Sequence, residues 1–276
     1  MATSPESALV ARRSYDVKNH LVYAILALLT ALAPAHLIRA QEARHPAVET
    51  KGAGPDLSGI WNARPPANAK LPELIVYFST FGKGEPAMTP WAETFYKSAK
   101  PSFGPRSVTM EETNDPVYQC FPPGMPRVYL HPFPMQIIQL PTEVVMLFEY
   151  DHTVRHIFTD GREHPKDVDP TWMGSSIGHW EGDTLVVDTI GFNDKTWLDR
   201  IGHPHSTGLH VVERMRRPDH ETLQIDFHIE DPKAYTKPID STMFFELKPT
   251  WNIMEQVCMD NGSFLNFEKK EAVAPK

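Results

Sequence analysis

The sequence predicts an all-β protein, and three observations support that fold class. Beyond residue 126, runs of five to nine apolar and β-branched residues alternate with turn residues. Several connections are short enough for hairpins, such as Asp160-Gly161 and Glu181-Gly182-Asp183. The chain also has 26 Pro against 15 Gly, and Pro removes a backbone donor that a helix needs. Strands joined by short loops pair antiparallel, so we expect a meander that closes into a barrel or folds into a β-sandwich.

The predicted elements divide the chain into three segments. Residues 1–40 form a targeting segment, and residues 41–126 form a Pro-rich, mostly extended segment that packs on the barrel and holds 13 prolines of its own. This segment contains one strand at 57–62 and one helix at 90–99 with Thr89 as its N-cap. Residues 127–276 form the antiparallel core. Its ten predicted strands are 127–131, 135–140, 143–150, 153–158, 176–180, 184–192, 210–216, 222–229, 242–247 and 253–257.

The N-terminus has the pattern of a secretory signal peptide. A polar stretch with Arg12, Arg13 and Lys18 precedes an uncharged apolar run at 21–35. We expect cleavage after Ala40, with cleavage after Ala35 or retention as a membrane anchor as alternatives. The predicted location is the periplasm, and the only predicted membrane contact is through this segment.

Composition excludes several classes of protein. A hydrophobic share of 41% and six Trp exclude a disordered chain. A net charge of −8 argues against binding to nucleic acid. Export to an oxidising compartment gives the two cysteines a role, and we expect a disulfide between Cys120 and Cys258. The alternative is two buried thiols.

Several strings resemble known proteins. The segments CFPPGMPR (120–127), EYDHTVR (149–155), DPTWMG (169–174), WEGDTLVVDT (180–189) and GFNDKTWLD (191–199) are similar to those of a widespread, uncharacterised family of exported bacterial proteins. The Gly59-Ile60-Trp61 string resembles the opening of lipocalin-like (calycin) proteins. This second resemblance implies a lipocalin-like barrel of 8–10 strands, which we take as the predicted fold, with a β-sandwich as the alternative.

Histidines supply the first group of candidate catalytic residues. His152 and His156 lie four positions apart on one predicted strand, so they share a face with Val154 and Phe158. Arg155 lies on the opposite face. The histidine face suits either a ligand cavity inside a barrel or a surface in contact with solvent.

The second group of candidates lies in a long loop at 193–206, between two predicted strands. Asp194 or Asp199 beside His203 or His205 would form an acid–base pair in which the carboxylate fixes the imidazole tautomer. The alternative is structural, with Asp194 capping a turn and His205 capping a strand. The spacing of His203 and His205 does not enforce a metal site, so neither a metal nor another cofactor is predicted.

Basic and aromatic side chains near these histidines are the predicted substrate-binding residues. They are Arg155, Trp172, Trp180, Phe192, Lys195 and Trp197. Trp in β proteins also commonly belongs to the core, which is the alternative for the aromatic members of this set.

These features lead to a main functional hypothesis and two alternatives. The main hypothesis is an exported enzyme that acts on a hydrophobic or aromatic small molecule by His/Asp general acid–base chemistry, as an isomerase, hydro-lyase or cyclase. The first alternative is a periplasmic carrier that binds an apolar ligand without turnover. The second is a structural envelope protein. The sequence fixes neither the substrate nor the oligomeric state.

Overall fold

The computed structural model describes residues 54–258, which form a closed β-barrel with two short helices. The helices are α1 (Leu71–Tyr77) and α2 (Pro90–Ser98). The strands are β1 (Gly59–Ala63), β2 (Met135–Gln139), β3 (Glu143–Phe148), β4 (Val154–Phe158), β5 (Ser175–Glu181), β6 (Thr184–Ile190), β7 (His210–Asp219), β8 (Thr222–Glu230) and β9 (Ile239–Leu247).

Neighbouring strands follow chain order around the barrel, and β1 closes it by pairing with β9. All pairs are antiparallel except β4–β5, which is parallel. The chain between these two strands, residues 159–174, is long enough to return to the end of the barrel from which β4 started, as a parallel pair requires. The connections at 140–142, 182–183 and 220–221 are tight and produce antiparallel neighbours.

The prediction of a closed, lipocalin-like all-β barrel is confirmed. A few of the predicted elements differ from those in the structure. The parallel β4–β5 pair interrupts the predicted antiparallel meander. The predicted strand at 127–131 is a 3-10 helix, Arg127–Leu130, because prolines at 126 and 132 bound a run too short to join the sheet. The predicted strand at 253–257 has no strand pairing. The structure adds α1, which the sequence did not predict, and confirms Thr89 as the N-cap of α2.

Side chains fill the barrel interior. Alternate residues of each strand point inward, as the pleat requires, and most are apolar. Trp61 lies at the end of the barrel where the tight hairpins are; it is fully buried and its Nε1 donates to the Leu57 carbonyl at 3.0 Å. The guanidinium of Arg217 on β7 lies 5.2 Å from the Trp61 ring.

One ion pair lies inside this apolar interior. Arg155 on β4 and Glu213 on β7 are both buried, with Arg155 Nη1 3.0 Å from Glu213 Oε1. The other guanidinium donors bind Ser176 Oγ at 3.1 Å and Thr189 Oγ1 at 2.9 Å. The Tyr129 hydroxyl donates to Glu213 Oε1 at 2.8 Å. Every charge in this group therefore has a hydrogen-bonded partner, which is the condition under which a core tolerates charge.

The two ends of the barrel differ in the length of their loops. Tight hairpins close the end that holds Trp61. The other end, called here the long-loop end, carries the segments 64–134, 149–153, 191–209 and 231–238. Tyr129 belongs to the first of these segments, so its hydrogen bond to Glu213 fixes that segment to the barrel interior.

The pairing of the two cysteines bears on the predicted compartment. Cys120 and Cys258 form a disulfide, as expected, which ties the Pro-rich segment to the end of the described chain. Within residues 54–258, neither helix has the length and apolar character needed to cross a membrane. The predicted signal peptide and its cleavage site lie outside the described residues.

The ion pair inside the barrel gives the first prediction. Replacing only one partner, as in Arg155→Met or Glu213→Leu, should lower the free energy of unfolding by roughly 3–5 kcal/mol, because the remaining charge is buried alone. The double variant should lose much less than the sum of the two single losses. Urea unfolding of the four proteins measures this coupling.

Arg214→Met, at the exposed pair with Glu181, is the control and should cost about 1 kcal/mol or less. Additive losses in the double variant would contradict the prediction.

Candidate functional site

The loop 191–209 forms the centre of the long-loop end. Most of its residues are buried, although they belong to no strand. Its backbone and side chains bind the other loops of this end: Thr196 Oγ1 donates to the Pro123 carbonyl at 3.1 Å, and the Tyr235 hydroxyl donates to the Pro204 carbonyl at 2.6 Å. A buried, hydrogen-bonded loop of this length holds its polar side chains in fixed positions.

Asp199 and His203 form a hydrogen-bonded pair in this loop. Asp199 Oδ1 accepts hydrogen bonds from the backbone N–H groups of Ile201 (3.0 Å) and His203 (3.1 Å), which fold the chain into a turn. The turn places His203 Nδ1 2.5 Å from Asp199 Oδ2. Gly202, at φ 97°, lies within this turn, and a Cβ there would come within 2.6 Å of the Ala99 Cβ.

The second nitrogen of His203 faces a third acidic group. His203 Nε2 lies 3.0 Å from Glu85 Oε2, and the Tyr96 hydroxyl lies 3.3 Å from Glu85 Oε1. The Tyr96 ring stacks on the imidazole with 4.4 Å between ring centroids. The His203 side chain is only 1% exposed, whereas that of Glu85 is 64% exposed. The imidazole is therefore shielded from solvent, and the Glu85 carboxylate connects its Nε2 to the surface.

The two carboxylates determine the protonation of His203. Burial by itself lowers the pKa of the imidazole, but Asp199, with further help from Glu85, outweighs this effect and raises the pKa above its usual value. The charged form of the ring is therefore more favoured than in a free histidine. The Asp199–His203–Glu85 group can store a proton inside the protein and exchange it at the surface.

The other two candidates in the loop are placed differently. Asp194 is exposed. The His205 side chain is buried, with Nδ1 3.3 Å from the Ser206 carbonyl and Nε2 without a partner among the described residues. Burial lowers the pKa of His205, so this ring is neutral. Of the four possible Asp–His pairings, the structure brings together Asp199 and His203.

The face of β4 that carries His156 is in contact with solvent. Of the two predicted possibilities, a ligand cavity or a solvent-exposed surface, the structure has the surface. His156 is exposed and its Nδ1 lies 2.9 Å from Glu143 Oε2. His152 ends the short 3-10 helix Tyr150–His152 that precedes the strand, with φ 47°, and its Nε2 accepts the backbone N–H of Gln256 at 3.2 Å. Neither histidine lies in the barrel interior, because the inward face of β4 carries Arg155 instead.

The predicted substrate-binding residues are dispersed. Arg155 is in the barrel interior, Lys195 is exposed, and Phe192 and Trp197 are buried in the packing of the long-loop end. Trp172 and Trp180 are half-buried. A separate groove of about 1240 Å³ lies outside the barrel, between α1 and the outer faces of β7, β8 and β9. None of the six predicted residues is part of its described lining.

Sequence reasoning missed Glu85 and Tyr96, the two residues that connect His203 to the surface. Glu85 lies 118 positions before His203, in an irregular segment with no pattern that marks a site. Tyr96 is on α2, where its spacing marks only a helix. In residues 54–258, no group of three or more His, Cys, Asp or Glu side chains has the geometry to hold a metal ion.

Fold and site together define a closed all-β barrel with a carboxylate–imidazole–carboxylate group at its long-loop end. In comparisons with protein-family models, curated proteins and solved structures, nothing matched this chain. The site must therefore be interpreted from its own geometry.

The raised pKa of His203 gives a prediction about pH. The interaction with Asp199 stabilises the fold when the ring is charged, so its contribution is complete below the unfolded pKa of about 6.5 and is lost as pH rises through the higher folded pKa. The stability advantage of the wild type over Asp199→Asn should therefore shrink between pH 6 and pH 9. Urea unfolding across this range measures it, with His179→Gln at an exposed His–Glu pair as the control. A difference that does not change with pH would contradict the prediction.

Proposed function

We propose that this protein is an enzyme that catalyses proton transfer on a small molecule, using Asp199, His203 and Glu85. The observation that carries the proposal is the buried hydrogen bond of 2.5 Å between Asp199 Oδ2 and His203 Nδ1. A carboxylate on one nitrogen fixes the tautomer and orientation of an imidazole, so that its other nitrogen is available for chemistry. In this chain the other nitrogen faces Glu85.

Glu85 is the group that meets the substrate. Its carboxylate is exposed on one side and lies 3.0 Å from the imidazole on the other. The imidazolium form of His203, which the raised pKa favours, gives a proton through Glu85 to one atom of the substrate. The neutral imidazole that results then takes a proton back, again through Glu85, from another carbon or oxygen of the substrate. Isomerisation, hydration–dehydration and cyclisation each need only such transfers, because every proton removed is returned and no electron is exchanged.

Tyr96 is a positioning residue in this scheme. Its ring covers the imidazole, and its hydroxyl lies close to the Glu85 carboxylate. Covering the ring keeps water away from His203, so a stored proton leaves through Glu85 rather than into bulk solvent.

Export to the periplasm belongs to the same proposal. The Cys120–Cys258 disulfide is the kind of bond that forms in an oxidising compartment. The N-terminal sequence pattern supports the same location. The expected partner is a small molecule and not nucleic acid, in accordance with the net charge of −8.

Hydrogen exchange tests the proposal before the substrate is known. An enzyme that removes a proton from carbon introduces deuterium into its substrate when the reaction runs in D₂O. The protein is therefore incubated in D₂O with a bacterial extract of small molecules, and the compounds are analysed by mass spectrometry. Particular compounds should gain deuterium or be converted. Glu85→Gln should reduce the rate roughly 100-fold or more, which is the usual contribution of a general acid–base group. Glu85 is exposed, so this variant should fold normally.

The control for this experiment is His179→Gln, which changes an exposed histidine with a neighbouring carboxylate on β5. It should leave labelling unchanged. If no compound is labelled or converted by the wild type, or if Glu85→Gln keeps the full rate, the proposed function is wrong.

The groove beside α1 supports a second candidate, a carrier for an apolar small ligand. Its volume of about 1240 Å³ is large enough for a ligand of drug size. Apolar side chains of Val76, Tyr77 and Phe244 line it, and Val76 and Phe244 are exposed. Exposed apolar side chains that share a concave surface are typical of a binding site.

A fluorescent apolar dye such as an anilinonaphthalene sulfonate tests this second candidate. The wild type should bind it saturably, and Phe244→Gln should weaken binding several-fold because the groove loses an exposed apolar side chain. Phe121→Gln, which changes a comparably exposed phenylalanine outside the groove, is the control. Equal binding by wild type and Phe244→Gln would place the dye elsewhere and remove the support for a carrier.

A further inference from the structure

The groove beside α1 has a polar floor, which consists of Asp226 and His228 on β8 and of Asp240 and Thr242 on β9. In the antiparallel pair of these strands, Asp226 lies opposite Thr242 and His228 lies opposite Asp240. The two carboxylates are therefore diagonal neighbours on the outer face of the barrel, and such positions are about 7–8 Å apart. A small positively charged group that enters the groove can contact both of them.

Hydrogen-bond donors satisfy these two carboxylates, but lysine and arginine do not. Asp226 Oδ1 accepts from Gln224 Nε2 at 2.9 Å and from Thr242 Oγ1 at 2.6 Å. Asp240 Oδ1 lies 2.7 Å from His228 Nδ1, and the Asp240 side chain is 78% exposed. Within the part of the chain that the structure describes, neither carboxylate forms an ion pair with a lysine or an arginine. The floor of the groove therefore carries negative charge that a ligand can neutralise.

The basic side chains that line the groove have other positions. Arg214 on β7 lies opposite Asp226 in the sheet, but it is paired with Glu181 instead, with Nη2 2.9 Å from Oε2. Arg64 and Lys83 belong to the segment on the other side of the groove, and both are exposed. None of these three side chains forms an ion pair with the polar floor.

Apolar side chains lie beside the carboxylates in the same groove. Val76 and Tyr77 line it from α1, and Phe244 lines it from β9. Phe244 is the next outward residue of β9 after Thr242, and successive outward residues of a strand are about 7 Å apart. A ligand whose apolar body contacts Phe244 therefore places an attached polar group of two or three bonds' reach close to Asp226.

We propose that this groove binds an apolar or aromatic amine, with its ammonium group between Asp226 and Asp240 and its apolar body against Phe244 and α1. A hydrogen bond from an ammonium group to a carboxylate is charge-assisted, and it is stronger than one between neutral groups. The inference rests on the second candidate function, the carrier, and it names the class of ligand. It involves none of the residues proposed for acid–base catalysis.

His228 makes the binding of an amine dependent on pH. Its hydrogen bond to Asp240 is the main cause that raises the pKa of the ring, and Glu230 Oε1, 3.5 Å from its Nε2, acts in the same direction. The other charged residues on the neighbouring parts of the groove are Asp226, Arg214 and Lys83. A protonated ring neutralises Asp240 and repels an ammonium group. Amine binding is therefore strongest above the raised pKa of His228, and it weakens as the pH falls through that value.

Phenethylamine, 2-phenylethanol and 3-phenylpropionate are the probes for the test, because they share a phenyl body and differ in the charge of the attached group. In calorimetric titrations of the full chain at pH 8.5, the amine should bind roughly tenfold or more tightly than the alcohol, and the carboxylate should bind most weakly. Asp240→Asn and Asp226→Asn should each reduce the preference for the amine several-fold. At pH 5.5 this preference should shrink in the wild type, and His228→Gln should remove most of the difference between the two pH values.

Two further variants locate the binding. Phe244→Gln should weaken the amine and the alcohol alike, because it removes apolar contact and no charge. Glu143→Gln is the matched control, since Glu143 also faces a histidine, with Oε2 2.9 Å from His156 Nδ1, outside the described lining of the groove. It should change neither affinity.

The outcomes separate this inference from the carrier function on which it rests. If the alcohol binds and Phe244→Gln weakens it, but the amine has no advantage, the inference is wrong and the carrier stands. A preference for the amine that survives both aspartate substitutions also overturns the inference. If none of the three probes binds, the carrier and the inference are both wrong.

Discussion

The buried contact between Arg155 and Glu213 is the interaction on which the arrangement of the long-loop end depends. Two charges inside an apolar barrel are tolerated only with complete hydrogen bonding, and Ser176, Thr189 and Tyr129 complete it. Of these, Tyr129 comes from outside the sheet. The barrel therefore satisfies its internal charge only when the segment 64–134 is docked, which connects the stability of the core to the position of the segment that carries Glu85 and Tyr96.

The difference between the two ends of the barrel explains why the candidate site lies at only one of them. At the Trp61 end, the tight hairpins contribute few residues beyond the strands, and therefore few side chains that could form a site. The long-loop end has long segments that bind one another through backbone carbonyls, as Arg200 does with Phe78 and Leu130. Polar groups that are held by such contacts keep a fixed geometry without being part of the sheet, which is the condition for the Asp199–His203 pair.

The sequence predicted those features whose physical causes are local. Alternation of apolar residues and the turn residues between them located most strands. Because Asp194, Asp199, His203 and His205 share one loop, an Asp–His contact could be predicted, but not that Asp199 and His203 form it. Two segments without such alternation were wrongly predicted as strands. Residues 127–131 contain a 3-10 helix, and residues 253–257 are held by hydrogen bonds to Glu149 and His152 rather than by a sheet. Glu85 could not be predicted, since its contact with His203 arises only when the segment 64–134 docks on the barrel.

Histidines that lie close together in sequence have opposite properties here, because their partners differ. His203 has a carboxylate at each nitrogen, so its pKa rises in spite of burial. His205, two positions away, has only a backbone carbonyl, so burial dominates and its pKa falls. A stored proton needs a nearby negative charge, and exchange of that proton needs a path to solvent. His203 has both, through Asp199 and Glu85, and this combination rather than the number of histidines makes it the centre of the proposed acid–base site.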